Sequence, residues 1–205
     1  MMIYSYIIVA LVGYLLGCSN LAWFLSKLKG VDMSAKGSGN PGTSNAVILM
    51  GWKVGILVGA HDIGKAIIAV FLAKWLFPNV DYIAEVAGVA SVIGHIFPFY
   101  LKFKGGKGFA SFIGMTIALN WKFALVIIAV IILVTVVFDY LVVGTTVTVV
   151  SLPVYIALTG SWIAALIVCV ATAVIIFKHR KNYVRIAKHT EIGLRSTIKG
   201  EHREK

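Results

Sequence analysis

The stretch FASFIGMTIALNWKFALVIIAVIILVTVVF, from Phe109 to Phe138, decides how this chain is folded. It is apolar apart from Asn120-Trp121-Lys122, which divides it into two runs, Phe109 to Leu119 and Phe123 to Phe138. A helix that crosses a bilayer needs about 20 mainly apolar residues. The first run is short for that purpose, and the pair reads either as one long span or as two short ones. On either side lie further apolar runs, Ile3 to Leu25, Trp52 to Phe77, Tyr82 to Tyr100, Tyr140 to Leu158 and Trp162 to Phe177.

The cations settle the choice. They gather in the segment from Lys27 to Asn45, in the loop from Lys102 to Lys107 and in the tail from Lys178. Lys and Arg stay on the cytoplasmic side, so all three segments belong on one face, and an even number of spans must separate the second from the third. Fusing the runs at Asn120 would leave three. The predicted fold is therefore all-α: a polytopic membrane protein of seven transmembrane helices, N-terminus outside and C-terminus cytoplasmic, with the fourth and fifth helices short, tilted or broken. It forms a single domain over 1–205.

Composition agrees. Of the 205 residues 60% are hydrophobic and 13% charged, and the mean hydropathy is +0.93, which excludes an ordinary soluble domain. The formal net charge of +11 borders apolar runs, where it attracts lipid headgroups, so the expected partner is membrane lipid and no nucleic acid. Cys18 and Cys169 each fall inside an apolar run and imply no disulfide. The first run has no preceding basic residue and exceeds a signal-peptide core, so it is expected to remain as a span.

Three polar segments carry candidate chemistry. In the first, Lys36-Gly37-Ser38-Gly39-Asn40-Pro41-Gly42-Thr43-Ser44-Asn45, glycines let the backbone N–H groups turn inward. A helix starting at Ser44 or Asn45 would add free amides and a positive dipole end, both suited to phosphate. Ser38, Gly39, Asn40, Gly42, Thr43 and Asn45 are the candidate phosphate ligands; the competing reading is an ordinary capped glycine turn. Gly37 and Gly42 have Walker A spacing, but Thr43 stands in the lysine position, which argues against nucleotide hydrolysis. The second segment runs from Gly94 to Ala110, with Lys104, Gly105, Gly106, Lys107 and Gly108 at its centre. Two ammonium groups flank bare amides there, and its His95 is either an acid-base group or a histidine bonded to backbone at a helix end. The third continues the last span as a basic helix on which His179, Asn182 and Arg185 recur every three residues, followed by Glu191. Asp62 and Lys65 sit on adjacent turns at membrane depth, where charge is paired or functional; His61 and Glu85 have no evident partner.

Together these segments resemble the bacterial acyl phosphate:glycerol-3-phosphate acyltransferases, the PlsY family, over nearly the whole chain. The resemblance rests on Gly37 to Asn45, on Asp62 with Lys65, on the run from Gly94 to Ala110, and on His179, Asn182, Arg185 and Glu191. It implies an enzyme of the bacterial plasma (inner) membrane, its active site facing the cytoplasm, that transfers an acyl group from acyl phosphate to the 1-hydroxyl of glycerol 3-phosphate. The products are lysophosphatidic acid and phosphate. The chain departs from the family where Ile48 replaces a frequent arginine, His189 a glycine, and Thr43-Ser44 an alanine-threonine pair; Lys36 and Lys53 are the nearby cations that would replace the arginine.

On this reading the activated anhydride is attacked directly by the hydroxyl. Lys104, His179 and Asn182 are the expected catalytic groups, and the two glycine loops hold the phosphates, with Asp62, Lys65, His95, Arg185 and Glu191 in support. No histidine is followed by aspartate at the spacing used by many acyl-thioester acyltransferases, and no metal or other cofactor is expected. The rival class is a transporter of a phosphorylated solute or lipid, whose site would lie near the midplane rather than in loops on one face.

Overall fold

The computed structural model describes residues 2–33 and 35–199. These form α1 Met2–Cys18, α2 Leu21–Leu28, α3 Thr43–Met50, α4 Trp52–Leu76, α5 Ile83–Ile96, α6 Phe109–Leu119, α7 Trp121–Phe138, α8 Leu141–Leu158, α9 Trp162–Lys178, α10 Arg180–Ala187 and α11 Leu194–Lys199, with a 3-10 turn at Phe99–Leu101. Among the described residues there is no strand. Five helical segments are long and apolar enough to cross a bilayer, from Met2–Leu28 to Leu141–Leu158. A sixth, Trp162–Lys178 with Arg180–Ala187, is bent by 45°, and Phe109–Leu119 is apolar but shorter. The protein is thus an all-helical membrane protein. On α7, Leu125, Val126, Ile132, Leu133, Val136 and Val137 are all exposed, an apolar surface suited to a lipid phase.

Asparagines set the breaks. Asn120 divides the 109–138 stretch, its Oδ1 accepting from Phe123 N at 3.0 Å to cap α7. The first apolar run, which reads as continuous from Ile3 to Leu25, breaks at Ser19-Asn20, because the Asn20 side chain accepts from Trp23 N and starts a new helix. The helix after the glycine-serine loop begins at Thr43, one residue ahead of the earliest start expected, on the extended backbone of Gly42.

Long-range bonds sort the connections to two ends of the bundle. At one end Tyr6 OH donates to the Asp81 carbonyl, Lys74 Nζ to the Ala118 carbonyl and Asn120 Nδ2 to Tyr155 OH. At the other Tyr100 OH donates to the Cys18 carbonyl, Lys107 Nζ to Asn182 Oδ1, and Leu194 N to the Asp139 carbonyl. That second end collects the segment after α2, the loop before α6, the α7–α8 turn and the tail.

Helices α1 and α5 approach through glycine. A Cβ on Gly17 would lie 2.1 Å from the Ser91 carbonyl oxygen, and one on Gly94 would lie 2.1 Å from that of Tyr14. Small residues replace hydrophobic drive where the surroundings are themselves apolar, because they let backbones touch. Gly17→Val or Gly94→Val is expected to destabilise the detergent-purified protein by about 1–3 kcal/mol or more, read as a lowered thermal midpoint. Gly64→Ala, where a Cβ meets nothing within 4 Å, is expected to leave the midpoint in place.

Candidate active site

The glycine-serine loop is built around Asn45. This residue is wholly buried; its Oδ1 accepts from Ser38 N at 2.8 Å, and its Nδ2 donates to the carbonyls of Met33 and Lys36. Both ends of the Asn45 amide are therefore spent on the loop's own backbone. The asparagine expected among the phosphate ligands is a brace, and Ser38, Gly39 and Asn40 are the residues it presents. A Cβ on Gly37 would lie 2.2 Å from Asn45 Oδ1, so the brace also requires that glycine.

The lysine-glycine loop is pinned from below. Gly105 N donates to the Ile96 carbonyl and Gly106 N to that of His95. Gly105 and Gly106 are buried, whereas Lys104 is exposed. A Cβ on Gly105 would lie 2.2 Å from the His95 carbonyl, and one on Gly106 2.0 Å from His95 Nε2. Neither position admits a side chain. Gly108 continues into α6 with a φ of 89°, a conformation open to glycine.

The tail supplies the third wall. The bend falls at His179, which is buried, its Nδ1 bonded to the Ile175 carbonyl at 2.9 Å. One turn on, Asn182 accepts from Lys107 Nζ at 2.6 Å and donates to Glu191 Oε1, while Arg185 Nε lies 2.6 Å from Glu191 Oε2. Glu191 so ties Asn182 and Arg185 together. The tail beyond it is held in turn by Asp139, whose carbonyl and carboxylate accept from Leu194 N and Arg195 N.

These three walls enclose a cleft of about 910 Å³ at one end of the bundle. It brings together Ser38, Gly39, Asn40, Lys104, Gly105, Lys107, Asn182 and Arg185. Gly42, Thr43, Asn45, Gly106, Gly108, His179 and Glu191 stand behind that lining. Neither Lys36 nor Lys53 lines it, so the cations expected to replace the family arginine do not. The cleft's further positive charge comes instead from Lys27, Lys178, Arg180 and Lys181, and Ile48 packs near Gly37. Sequence reading missed the wall of Trp23, Ser26 and Lys27; Asn20 within an apolar run was the available signal for it. Burial, the largest influence, pushes the Lys107 ammonium down to about 8, aided by the positive charges of Arg185 and Lys178 and opposed by Glu191.

Beneath the cleft lies a buried cluster on α4 and α5. Asp62 Oδ1 is 2.9 Å from Lys65 Nζ and 3.3 Å from His95 Nδ1, and Lys65 Nζ donates to the Ser19 carbonyl at 2.6 Å. His61, without an evident partner in the sequence, meets Ser19 Oγ through Nε2 at 2.7 Å. Among the described residues no group of His, Cys, Asp and Glu is arranged to hold a metal ion.

Residues 7–189 match the family described as glycerol-3-phosphate acyltransferase. Similar proteins include glycerol-3-phosphate acyltransferase 1 of Oceanobacillus iheyensis, 39% identical over 93% of this chain and 96% of its own. Those of Coxiella burnetii and Clostridioides difficile are 35% and 33% identical, over 91% and 93% of this chain and 97% and 96% of theirs. Crystal structures of PlsY, an integral membrane glycerol 3-phosphate acyltransferase, are similar in fold. The glycerol 3-phosphate form superposes with a TM-score of 0.87 at 30% identity, covering 93% of this chain and 96% of that one. The lysophosphatidic acid form gives 0.83 at 30% identity, covering 92% and 95%. The resemblance carried by the two glycine loops and the tail is thereby borne out: this chain belongs to the glycerol-3-phosphate acyltransferase family.

Proposed function

We propose that this protein transfers a fatty acyl group from acyl phosphate to the 1-hydroxyl of glycerol 3-phosphate, releasing lysophosphatidic acid and inorganic phosphate. It does so as one seven-span domain of the bacterial plasma membrane, N-terminus outside and cleft facing the cytoplasm. The cleft carries the reading. Three segments far apart in sequence meet there, two of them glycine loops pinned by their own backbone hydrogen bonds, and their cations include Lys104 and Lys107. The topology is supported by the sorting of connections to two ends, since the cation-rich ones share the end that holds the cleft. A cleft at one end of the bundle disfavours the transporter alternative.

Both substrates carry phosphate, and acyl phosphate is already an activated anhydride. The acceptor hydroxyl attacks the acyl carbon, the ester C–O bond forms as the bond to the phosphate oxygen breaks, and the hydroxyl proton passes to the departing phosphate. No covalent enzyme intermediate is needed. The chain's part is to orient both molecules and neutralise their charge. Ser38, Gly39 and Asn40 cradle one phosphate, and Lys104 and Lys107 clamp the other. Asn182 is aimed at Lys107 by Glu191, and His179 fixes the bend that delivers Asn182.

The reaction is tested by mixing purified protein with acyl phosphate and following phosphate with and without glycerol 3-phosphate. Release that does not depend on the acceptor would sink the proposal. Lys104→Ala and Asn182→Ala are each expected to lower turnover by about 100-fold or more, and unchanged turnover would remove the role assigned here. The Lys107 ammonium is charged below pH about 8 and neutral above it. The KM for the phosphate-bearing substrate it clamps is therefore expected to rise as pH climbs through that value, and Lys107→Arg to abolish the rise. A flat KM from pH 7 to 9.5 in the unaltered enzyme would show that this ammonium does not both titrate near 8 and bind the substrate.

A further inference from the structure

Lys65 has three N–H donors and meets three acceptors. These are Asp62 Oδ1 at 2.9 Å, the Ser19 carbonyl at 2.6 Å and His95 Nδ1 at 2.9 Å. A ring nitrogen that accepts from an ammonium carries no proton, so the His95 proton resides on Nε2. The 3.3 Å between His95 Nδ1 and Asp62 Oδ1 is then the approach of two acceptors to one shared ammonium. Nε2 is turned toward Gly106, where a Cβ would lie 2.0 Å from it and 2.8 Å from Cε1. The same histidine's carbonyl accepts from Gly106 N. Ring and backbone of His95 thus support the lysine-glycine loop together.

The other arm of the cluster leads to the other loop. Ser19, held by Lys65 through its carbonyl and by His61 through its hydroxyl, precedes Asn20, whose Nδ2 donates to the Pro41 carbonyl at 3.3 Å. Pro41 belongs to the glycine-serine loop and lines the cleft. Asp62, Lys65 and His95 are buried and none lines the cleft. We infer that Asp62, Lys65 and His95 are positioning residues that set the spacing of the two loops, His95 by seating its ring under Gly106 and Lys65 by holding the Ser19-Asn20 break that carries Pro41. The inference rests on the acyl-transfer reading only for its kinetic readout.

The test is a cycle of four proteins: unaltered, Gly106→Ala, His95→Asn and the double variant. Asparagine keeps an acceptor near the Nδ1 position for Lys65 and removes the part of the ring under Gly106, which favours folding over His95→Ala. Gly106→Ala is expected to lower kcat/KM about 100-fold, as an ångström of displacement does. In the His95→Asn background the same methyl is expected to cost less than about 5-fold, because its space has been vacated. His95→Gln, which restores an N–H near Nε2, is expected to fall between the unaltered protein and His95→Asn. Equal losses from Gly106→Ala in both backgrounds would overturn the inference. Were the unaltered protein to show no acceptor-dependent turnover, the acyl-transfer reading would fail instead, and the thermal midpoints of the same four proteins would decide. A methyl penalty relieved by His95→Asn supports the seating of the loop on the ring, and an equal penalty in both backgrounds refutes it.

Discussion

An ammonium group in the low-dielectric interior of a bundle must find its own solvation, and Lys65 does so by drawing three helices to one point. The end of α1 offers the Ser19 carbonyl, freed because the helix stops there; α4 contributes Asp62 from the same face, and α5 contributes His95. Charges at such depth are costly unless paired and fully hydrogen-bonded. The break in the first apolar helix and the buried charge are thus one arrangement, since each leaves a polar group that the other satisfies. The glycine contacts of Gly17 and Gly94 bring α1 and α5 close enough for it to form.

Much of this was readable from residue order. The cations were enough to divide the 109–138 stretch, since an even number of spans had to separate the lysine-glycine loop from the basic tail; the Asn120 cap that makes the break came only with the fold. The glycine loops and the Asp62–Lys65 pair were equally visible. Side-chain direction was not. Asn45 reads as a donor facing outward and in the fold turns inward to three backbone groups. Lys104, Lys107 and Arg185 line the cleft, whereas Lys36 and Lys53, expected there in place of the family arginine, do not, because helices that are apolar on nearly every face give no periodic signal of which side meets which neighbour. For the same reason Trp23 went unnoticed and Lys27 was read only as a cytoplasmic cation, since both lie beyond a break hidden within a span.

Charge in the cleft is unbalanced in a directed way. Glu191, the carboxylate nearest Lys107's partner, is engaged by Arg185 and Asn182, so it orients the amide that Lys107 meets. Exposed ion pairs contribute little, but here the carboxylate is mostly covered, and its hydrogen bonds fix geometry. Lys27, Lys104, Lys178, Arg180 and Lys181 line the same cleft, with Asp32 the one carboxylate among its described lining residues, so the balance there is positive.

The shortness of α6 has its own consequence. Ser111, in its first turn, donates to the carbonyl of Asp62, which lies well inside the parallel helix α4. At 1.5 Å per residue α6 therefore begins about 12 Å deeper than α4. The loop before it hangs in a recess below the rim of its neighbours. An anion resting on that loop would leave bulk water behind, and its attraction to nearby ammonium groups would be screened less than at an open surface.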